Sequence, residues 1–243
     1  MKNPAQESTF FDHLEELRKR IILVLVWFVL ACILSYVFNS QILKCAIRPL
    51  QNLQENPVFI SPVEPFFSVI KLMLFSALLI SSPFILYQIY VFVKPALSKH
   101  QGKILGLCLF TAVILFYSGI CLSHFVIVPA GLKILFSFGR NLMKPMITIN
   151  QYLSFIIWMN LILGIVFQIP VVMFFVGITE IIEIDWFKKM RRIAYVIILV
   201  IAALITPTVD GLTMLILSGI MIFLYEITLF LIRLILRRKY LRN

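Results

Sequence analysis

The sequence is poor in charged residues, and poorest in acidic ones. Only 14% of its 243 residues are charged, with 22 Lys and Arg residues against 11 Asp and Glu residues. Hydrophobic residues make up 61% of the chain, whereas they make up roughly half of a soluble globular domain. This composition excludes a soluble globular protein and predicts a membrane protein.

The motifs that would indicate an enzyme are also missing. The sequence contains no HExxH or GxSxG motif, and a single acidic residue, Glu226, lies deep within an apolar run, so no carboxylate pair of the intramembrane-protease kind is formed. The four cysteines (Cys32, Cys45, Cys108 and Cys121) lack CxxC spacing, and three lie in apolar runs. This pattern predicts small buried side chains rather than disulfides or metal ligands. We therefore expect a protein that is not an enzyme and that holds no cofactor or metal.

The positive net charge is distributed as a topology signal. The formal net charge is +11, but the basic residues cluster at the ends of apolar runs instead of forming the continuous basic face expected for nucleic-acid binding. Most of them lie in segments 1–20, 94–103, 179–192 and 233–242. By the positive-inside rule these four segments are cytoplasmic, which places both termini in the cytoplasm. No cleavable signal peptide is predicted, because the first apolar run follows acidic residues and lacks a small-residue cleavage site.

Six apolar runs predict an all-α membrane protein with six transmembrane helices in one polytopic domain, residues 1–243. The predicted spans are 21–38, 68–93, 104–128, 152–178, 193–205 and 212–232. At about 1.5 Å per residue the fifth run covers roughly 20 Å, which is less than the roughly 30 Å hydrocarbon core. This short span either thins the bilayer locally or lets the tip of the outer hairpin lie within the depth of the bilayer. The alternative is that the span continues beyond the predicted boundary.

Two polar side chains, Gln168 and Glu226, lie within predicted spans. An intramembrane carboxylate is a candidate functional group, and it can equally hold two helices together. With Glu226 as a proton carrier, the alternative function is a proton-coupled secondary transporter. That alternative would favour an internal repeat with broken spans at matching positions, and the sequence has neither.

The segment before the first span reads TFFDHLEELRKR. Thr9 and Asp12 fit a capping box, which predicts a helix that begins at Thr9 and continues into the first span. Glu15 and Glu16 place two carboxylates just before the membrane. Glu16 can pair with Arg20 at i,i+4 within the helix, or it can bind a basic ligand from outside the chain.

Five blocks, in order, resemble the TatC family, the multispanning receptor subunit of the twin-arginine (Tat) protein translocase. They are HLEELRKR at 13–20, PFFSVIKL at 65–72, SSPFILYQIYVFVKPALSKH at 81–100, FQIPVV at 167–172 and TPTVD at 206–210. The resemblance implies a concave, glove-like bundle that binds twin-arginine signal peptides. It further implies TatA- and TatB-like single-span partners, homo-oligomers, and export of folded proteins driven by the proton-motive force. The implied location is the bacterial cytoplasmic membrane, with an organelle-encoded homologue as the alternative.

The resemblance also assigns roles to individual residues in the signal-peptide site. Glu16 matches the acid of the family's HLxELR block and is the expected principal contact for the twin arginines, with Glu15 and Arg18 beside it. A carboxylate accepts two parallel bonds from a guanidinium, a geometry that lysine cannot reproduce. Gln101 stands where many relatives carry a second acid, so the twin arginines are expected to meet one full negative charge here instead of two.

Other residues match the family at the receptor surface, in the membrane and in the outer loops. The FxxPAL element of the family is matched by Phe92, Pro95 and Leu97. A polar position that faces the concave interior is matched by Gln168, and positions tied to assembly are matched by Pro49 and Asp210. The short hairpin of spans five and six contains Thr206 and Met214. That hairpin is expected to dock partner helices.

Overall fold

The computed structural model describes residues 4–96, 99–137, 146–179, 184–205 and 211–240. The α-helices in these ranges are α1 (Pro4–Val37), α2 (Asn39–Gln51), α3 (Glu64–Val93), α4 (Lys99–Leu122), α5 (Val128–Ser137), α6 (Ile149–Val166), α7 (Ile169–Ile178), α8 (Ile184–Lys189), α9 (Arg191–Ile205) and α10 (Gly211–Tyr240). A 3₁₀ turn, Lys94–Ala96, follows α3, and a π-helical turn, Ser123–Ile127, joins α4 to α5. The predicted all-helical fold class is confirmed.

Five helical stretches in the described part of the chain are long and apolar enough to cross a membrane. They are Leu14–Val37, Glu64–Val93, Ile104–Ser137, Ile149–Ile178 and Met214–Leu234. The chain is therefore a membrane protein. Helix α9 has 15 residues and reaches only about 22 Å, so a sixth crossing stays a prediction.

Helix α1 begins earlier than the capping box predicts. The expected start at Thr9 is wrong, because the helix begins at Pro4 and continues without a break to Val37. Proline is compatible with the first helical position, where its missing N–H has no intrahelical acceptor in any case. The predicted continuity from the charged segment into the first span is confirmed.

Helix α6 forms the centre of the bundle. Its residues Tyr152, Leu153, Ile156 and Leu163 are almost completely buried, and the helix packs against both α3 and α4. A Cβ atom at Gly119 of α4 would lie 2.8 Å from the backbone oxygen of Leu163. Helices α4 and α6 therefore cross in close contact, and the glycine leaves the space for that crossing.

Helix α1 is peripheral and packs along α3. The rings of Trp27 and Phe84 lie 4.9 Å apart at this interface. Most other large apolar side chains of α1 are exposed, as expected for a helix that faces lipid on its remaining sides.

A second group of helices, α7, α9 and α10, packs beside this centre. A Cβ atom at Gly177 of α7 would lie 2.7 Å from Cδ1 of Ile232 of α10, so these two helices also approach closely. The rings of Tyr195 and Tyr225 meet edge to face, 6.1 Å apart, between α9 and α10.

Polar contacts connect the start of α3 to the start of α6. The amide of Val58 donates to the oxygen of Ile147, and the amide of Ile149 donates back to Val58, both at 2.9 Å. Lys71 donates to Oδ1 of Asn150 at 2.6 Å. We call this the clasp end of the bundle, and we call the opposite end, where α3 terminates, the Glu16 end.

The cysteines only partly follow the prediction. All four are free; Cys108 is buried and Cys32 is half-buried. Cys45 and Cys121 are exposed, so their predicted burial is wrong. In a membrane protein an apolar side chain on the outer surface can still face lipid, so its apolar character does not require a place in the protein core.

Candidate functional site

Arg20 links Glu16 of α1 to Gln88 of α3. Its Nε donates to Oε1 of Glu16 at 3.2 Å, and its Nη2 makes a short bond to the same oxygen. Its Nη1 donates to Oε1 of Gln88 at 3.1 Å. The i,i+4 pairing of Glu16 with Arg20 is therefore present, and it is extended by an interhelical contact that holds the carboxylate beside α3.

The Glu16 carboxylate is only partly shielded. Its side chain is 31% exposed, and that of Arg20 is 19% exposed. Both bonds from Arg20 reach Oε1, and none of the side chains described from residue 14 onward donates to Oε2. A second guanidinium could therefore approach Oε2.

The neighbouring acid, Glu15, has a different environment. It pairs with Lys19 at 2.9 Å, with the two side chains 62% and 71% exposed. Arg18 is also exposed on α1. An exposed i,i+4 pair is screened by solvent and contributes little stability. Of these two predicted carboxylates, Glu16 is the one held against a second helix.

The connection from α3 to α4 lies at the same end of the bundle. Gln88 is about 8 Å before the last residue of α3, at 1.5 Å per residue. Phe92 is half-buried in the last turn, Pro95 is exposed in the 3₁₀ turn, and Gln101 is half-buried in the first turn of α4. Leu97 lies outside the described residues. The structure thus brings Phe92, Pro95 and Gln101 to the Glu16 end.

Sequence reasoning did not single out Gln88. It is 8% exposed and accepts from Arg20 across 68 positions of sequence. The sequence feature that could have identified Gln88 is its polar side chain within the apolar run 68–93, inside the third family block. A buried amide needs a partner, and that requirement could have marked it as a candidate.

Gln168 lies at a break between two helices. Residues 167 and 168 form a turn between α6 and α7, so the predicted fourth span consists of two helical pieces. The Nε2 of Gln168 donates to the backbone oxygen of Ala112 in α4 at 3.1 Å, and more weakly to that of Gly164 at 3.5 Å. The side chain therefore ties the break to α4.

Glu226 has two partners on α9. Its Oε2 accepts from Nη2 of Arg191 at 2.8 Å, and its Oε1 accepts from the hydroxyl of Tyr195 at 2.6 Å. The carboxylate is thus a paired group that connects α9 and α10. Of the two roles left open by the sequence, this geometry favours the one in which Glu226 holds helices together.

The assembly residues are spread over the fold. Pro49 is buried within α2, and Met214 in the first turn of α10 is half-buried and packs against the core. Thr206 and Asp210 lie outside the described residues.

Residues 12–219 match the family model described as Sec-independent protein translocase protein (TatC). A TatC protein of Carboxydothermus hydrogenoformans is 32% identical over 96% of this chain and 96% of its own length. A chloroplastic TATC protein of Pisum sativum is 31% identical over 90% of this chain and 62% of its own length.

A solved structure gives a similar result. The crystal structure of a twin arginine translocase receptor, TatC, superimposes with a TM-score of 0.77 at 30% identity. The alignment covers 90% of this chain and 98% of that one. The similarity therefore extends over nearly the whole fold.

Proposed function

The chain belongs to the TatC family of Sec-independent protein translocase components, and on that premise we propose that it is the receptor for twin-arginine signal peptides in a Tat translocase. The single observation that supports this best is the contact of Glu16 with the guanidinium of Arg20 and, through it, with Gln88. The site already binds one arginine side chain of the chain itself. An incoming arginine has the same chemistry.

The arginine of the signal peptide would bind the Glu16 carboxylate either beside Arg20 or in place of it. Oε2 of Glu16 accepts the first contact of the incoming guanidinium, while Oε1 is still held by Arg20. A bidentate contact then requires Arg20 to give up at least part of its position. Lysine offers a single ammonium instead of a planar fork and competes less well for the same place.

The proposed topology places this site in the cytoplasm. Six spans, with α9 as a short fifth crossing, put both termini and the connection from α3 to α4 on the cytoplasmic side. The basic residues Arg18, Lys19 and Arg20, just before the first apolar run, and those at the start of α9 support this orientation. The proposed location is the cytoplasmic membrane of a bacterium, or the corresponding membrane of an organelle.

The later steps of export require the assembled translocase. We propose that TatA- and TatB-like single-span helices dock at the clasp end of the hairpin formed by α9 and α10, near Ile205 and Met214. Met214 is half-buried and packs against the core, and the exposed part of its side chain offers an apolar surface on which a helix can pack. Several copies of the chain act together, and the proton-motive force drives export of the folded cargo.

The test is a detergent pull-down with a twin-arginine signal peptide and its twin-lysine counterpart. We expect the chain to be recovered with the twin-arginine peptide and to be largely absent from the twin-lysine sample. The Glu16→Gln variant, which keeps the side-chain size and removes the charge, should lose the twin-arginine recovery. Equal recovery with both peptides would refute the receptor function.

A further inference from the structure

Gln88 lies on the face of α3 that packs against α1. Its side chain is 8% exposed, and Phe84, four residues before it on the same face of the helix, meets the ring of Trp27 at 4.9 Å. Arg20 lies seven residues before Trp27, two turns back along the same face of α1. Because α1 packs along α3, the aromatic contact fixes the register that brings Arg20 to Gln88.

Two helices together hold the guanidinium of Arg20. Its Nε and Nη2 both donate to Oε1 of Glu16, which lies on the same helix. Its Nη1 donates to Oε1 of Gln88 at 3.1 Å, across 68 positions of sequence. The guanidinium is planar and its donors point in fixed directions, so acceptors on both helices fix its position and its plane.

A neighbouring ion pair shows what the second helix adds. Glu15 and Lys19 have the same i,i+4 spacing on α1, but their side chains are 62% and 71% exposed. The side chains of Glu16 and Arg20 are only 31% and 19% exposed. The two pairs have the same spacing along one helix, so the shielding of the second pair comes from its position against α3. Hydrogen bonds to a charged group are stronger where water is largely excluded.

The amide of Gln88 stabilises Arg20 in this position because it is neutral. An amide oxygen accepts a hydrogen bond from a guanidinium, but it carries no charge that would draw Arg20 away from Glu16. A carboxylate in the same place would compete with Glu16 for the cation. The amide therefore adds a bond to the Arg20–Glu16 pair without replacing it.

We propose that Gln88 is a positioning residue of the signal-peptide site that holds Arg20 on Glu16 while no peptide is bound, and this role rests on the receptor function proposed above. A peptide arginine that takes the place of Arg20 has to break the bond to Gln88 as well as the two bonds to Glu16. Gln88 thus lowers the affinity of the site for the peptide, and it acts only through Arg20. Its removal can therefore strengthen binding by no more than the removal of Arg20 itself.

The first test measures how firmly Arg20 is held, without any peptide. The chain in nanodiscs is treated with phenylglyoxal, which modifies arginine guanidinium groups, and fragment-ion mass spectrometry gives the rate at each arginine. Gln88→Met keeps the length of the side chain and removes its amide. We expect Arg20 to react severalfold faster in this variant than in the unaltered chain. Arg18, which is exposed on the same helix, should react at an unchanged rate.

Ser76→Ala is the matched control for the loss of a buried polar group from α3. Ser76 is also buried, but its hydroxyl donates within its own helix, to the backbone oxygen of Leu72 at 2.7 Å. The substitution leaves the contact between Arg20 and Gln88 in place. The labelling rate of Arg20 and the affinity for the peptide should therefore both stay unchanged.

The second test measures peptide affinity in a double-mutant cycle. A labelled twin-arginine peptide is titrated against the unaltered chain, Gln88→Met, Arg20→Gln and the double variant. Gln88→Met should bind the peptide roughly two- to fourfold more tightly than the unaltered chain, since Arg20 still competes through its bonds to Glu16. In the Arg20→Gln background the same substitution should change nothing, because the residue through which Gln88 acts is gone.

Three results would overturn this role of Gln88. Unchanged labelling of Arg20 in Gln88→Met would show that the amide does not hold the guanidinium. Peptide binding that is unchanged or weaker in Gln88→Met would show that this contact does not oppose the peptide. Tighter binding that persists in the Arg20→Gln background would show that Gln88 does not act through Arg20.

The receptor function fails on a different observation, which is equal binding of twin-arginine and twin-lysine peptides by the unaltered chain. The labelling test uses no peptide, so it decides in either case whether Gln88 holds Arg20. A chain that discriminates between the two peptides but shows no effect of Gln88→Met would refute only the role of Gln88.

Discussion

Replacing Arg20 with glutamine tests whether this residue competes with the signal peptide for Glu16. The substitution removes the guanidinium that now makes two bonds to Oε1 of Glu16 and leaves the carboxylate in place. If an incoming arginine must displace Arg20, its removal should strengthen peptide binding. If Arg20 instead positions Glu16 for the peptide, its removal should weaken binding.

The size of the expected change in peptide affinity follows from how exposed the Arg20–Glu16 pair is. Fully exposed i,i+4 pairs contribute about 0.3–0.5 kcal/mol, and hydrogen bonds to charged groups contribute about 1.5–3 kcal/mol. With side chains 19% and 31% exposed, the Arg20–Glu16 pair lies between these cases, at about 1 kcal/mol. Loss of this competition should tighten binding roughly fivefold.

The assay is a fluorescence titration of a labelled twin-arginine peptide against the chain in nanodiscs. Lys19→Gln is the matched control, because it removes the same charge one residue away, where the partner is the exposed Glu15. Arg20→Gln should bind the peptide roughly fivefold more tightly than Lys19→Gln does. In the Glu16→Ala background the difference between the two should disappear. Binding by Arg20→Gln that is no tighter than by Lys19→Gln would refute the competition.

Four further outcomes are expected. Gln101→Ala should weaken peptide binding only severalfold, while Gln101→Glu should tighten it and make it more salt-sensitive, since an accessible charge pair is screened over about 10 Å at 0.1 M salt; titrations at low and high salt measure both. A single cysteine at Met214 should crosslink to a single-span partner helix, and crosslinks concentrated on α4 instead would contradict docking at this hairpin. Gln168→Leu should impair transport of a folded cargo while peptide binding persists, and simultaneous loss of both would indicate a packing role. Gly119→Ala should lower thermal stability in detergent, because its Cβ would lie 2.8 Å from a backbone oxygen of α6. Gly219→Ala should not lower it, because a Cβ at this position would meet no neighbouring atom within 4 Å.

The class of protein and much of its helical order could be predicted from the sequence alone. Long uncharged runs can satisfy their backbone polar groups in lipid only as helices, and the described helices α1, α3, α4, α6 and α10 include most of the predicted runs. Residues 193–205 are apolar but short, and the structure describes a helix of 15 residues there. Glu16 was identified from its place in a motif together with its possible i,i+4 partner, because both depend on residues close in sequence.

Which polar groups meet across helices could be read only from the packed fold. Gln88 reaches Arg20 across 68 positions, Arg191 reaches Glu226 across 35, and Gln168 reaches the backbone of α4 across 56. A helix that is apolar on all sides shows no preferred face in its sequence. Its rotation about its own axis is set by contacts with its neighbours, such as the close approach at Gly119. The partners of its few polar side chains therefore become defined only when the helices pack.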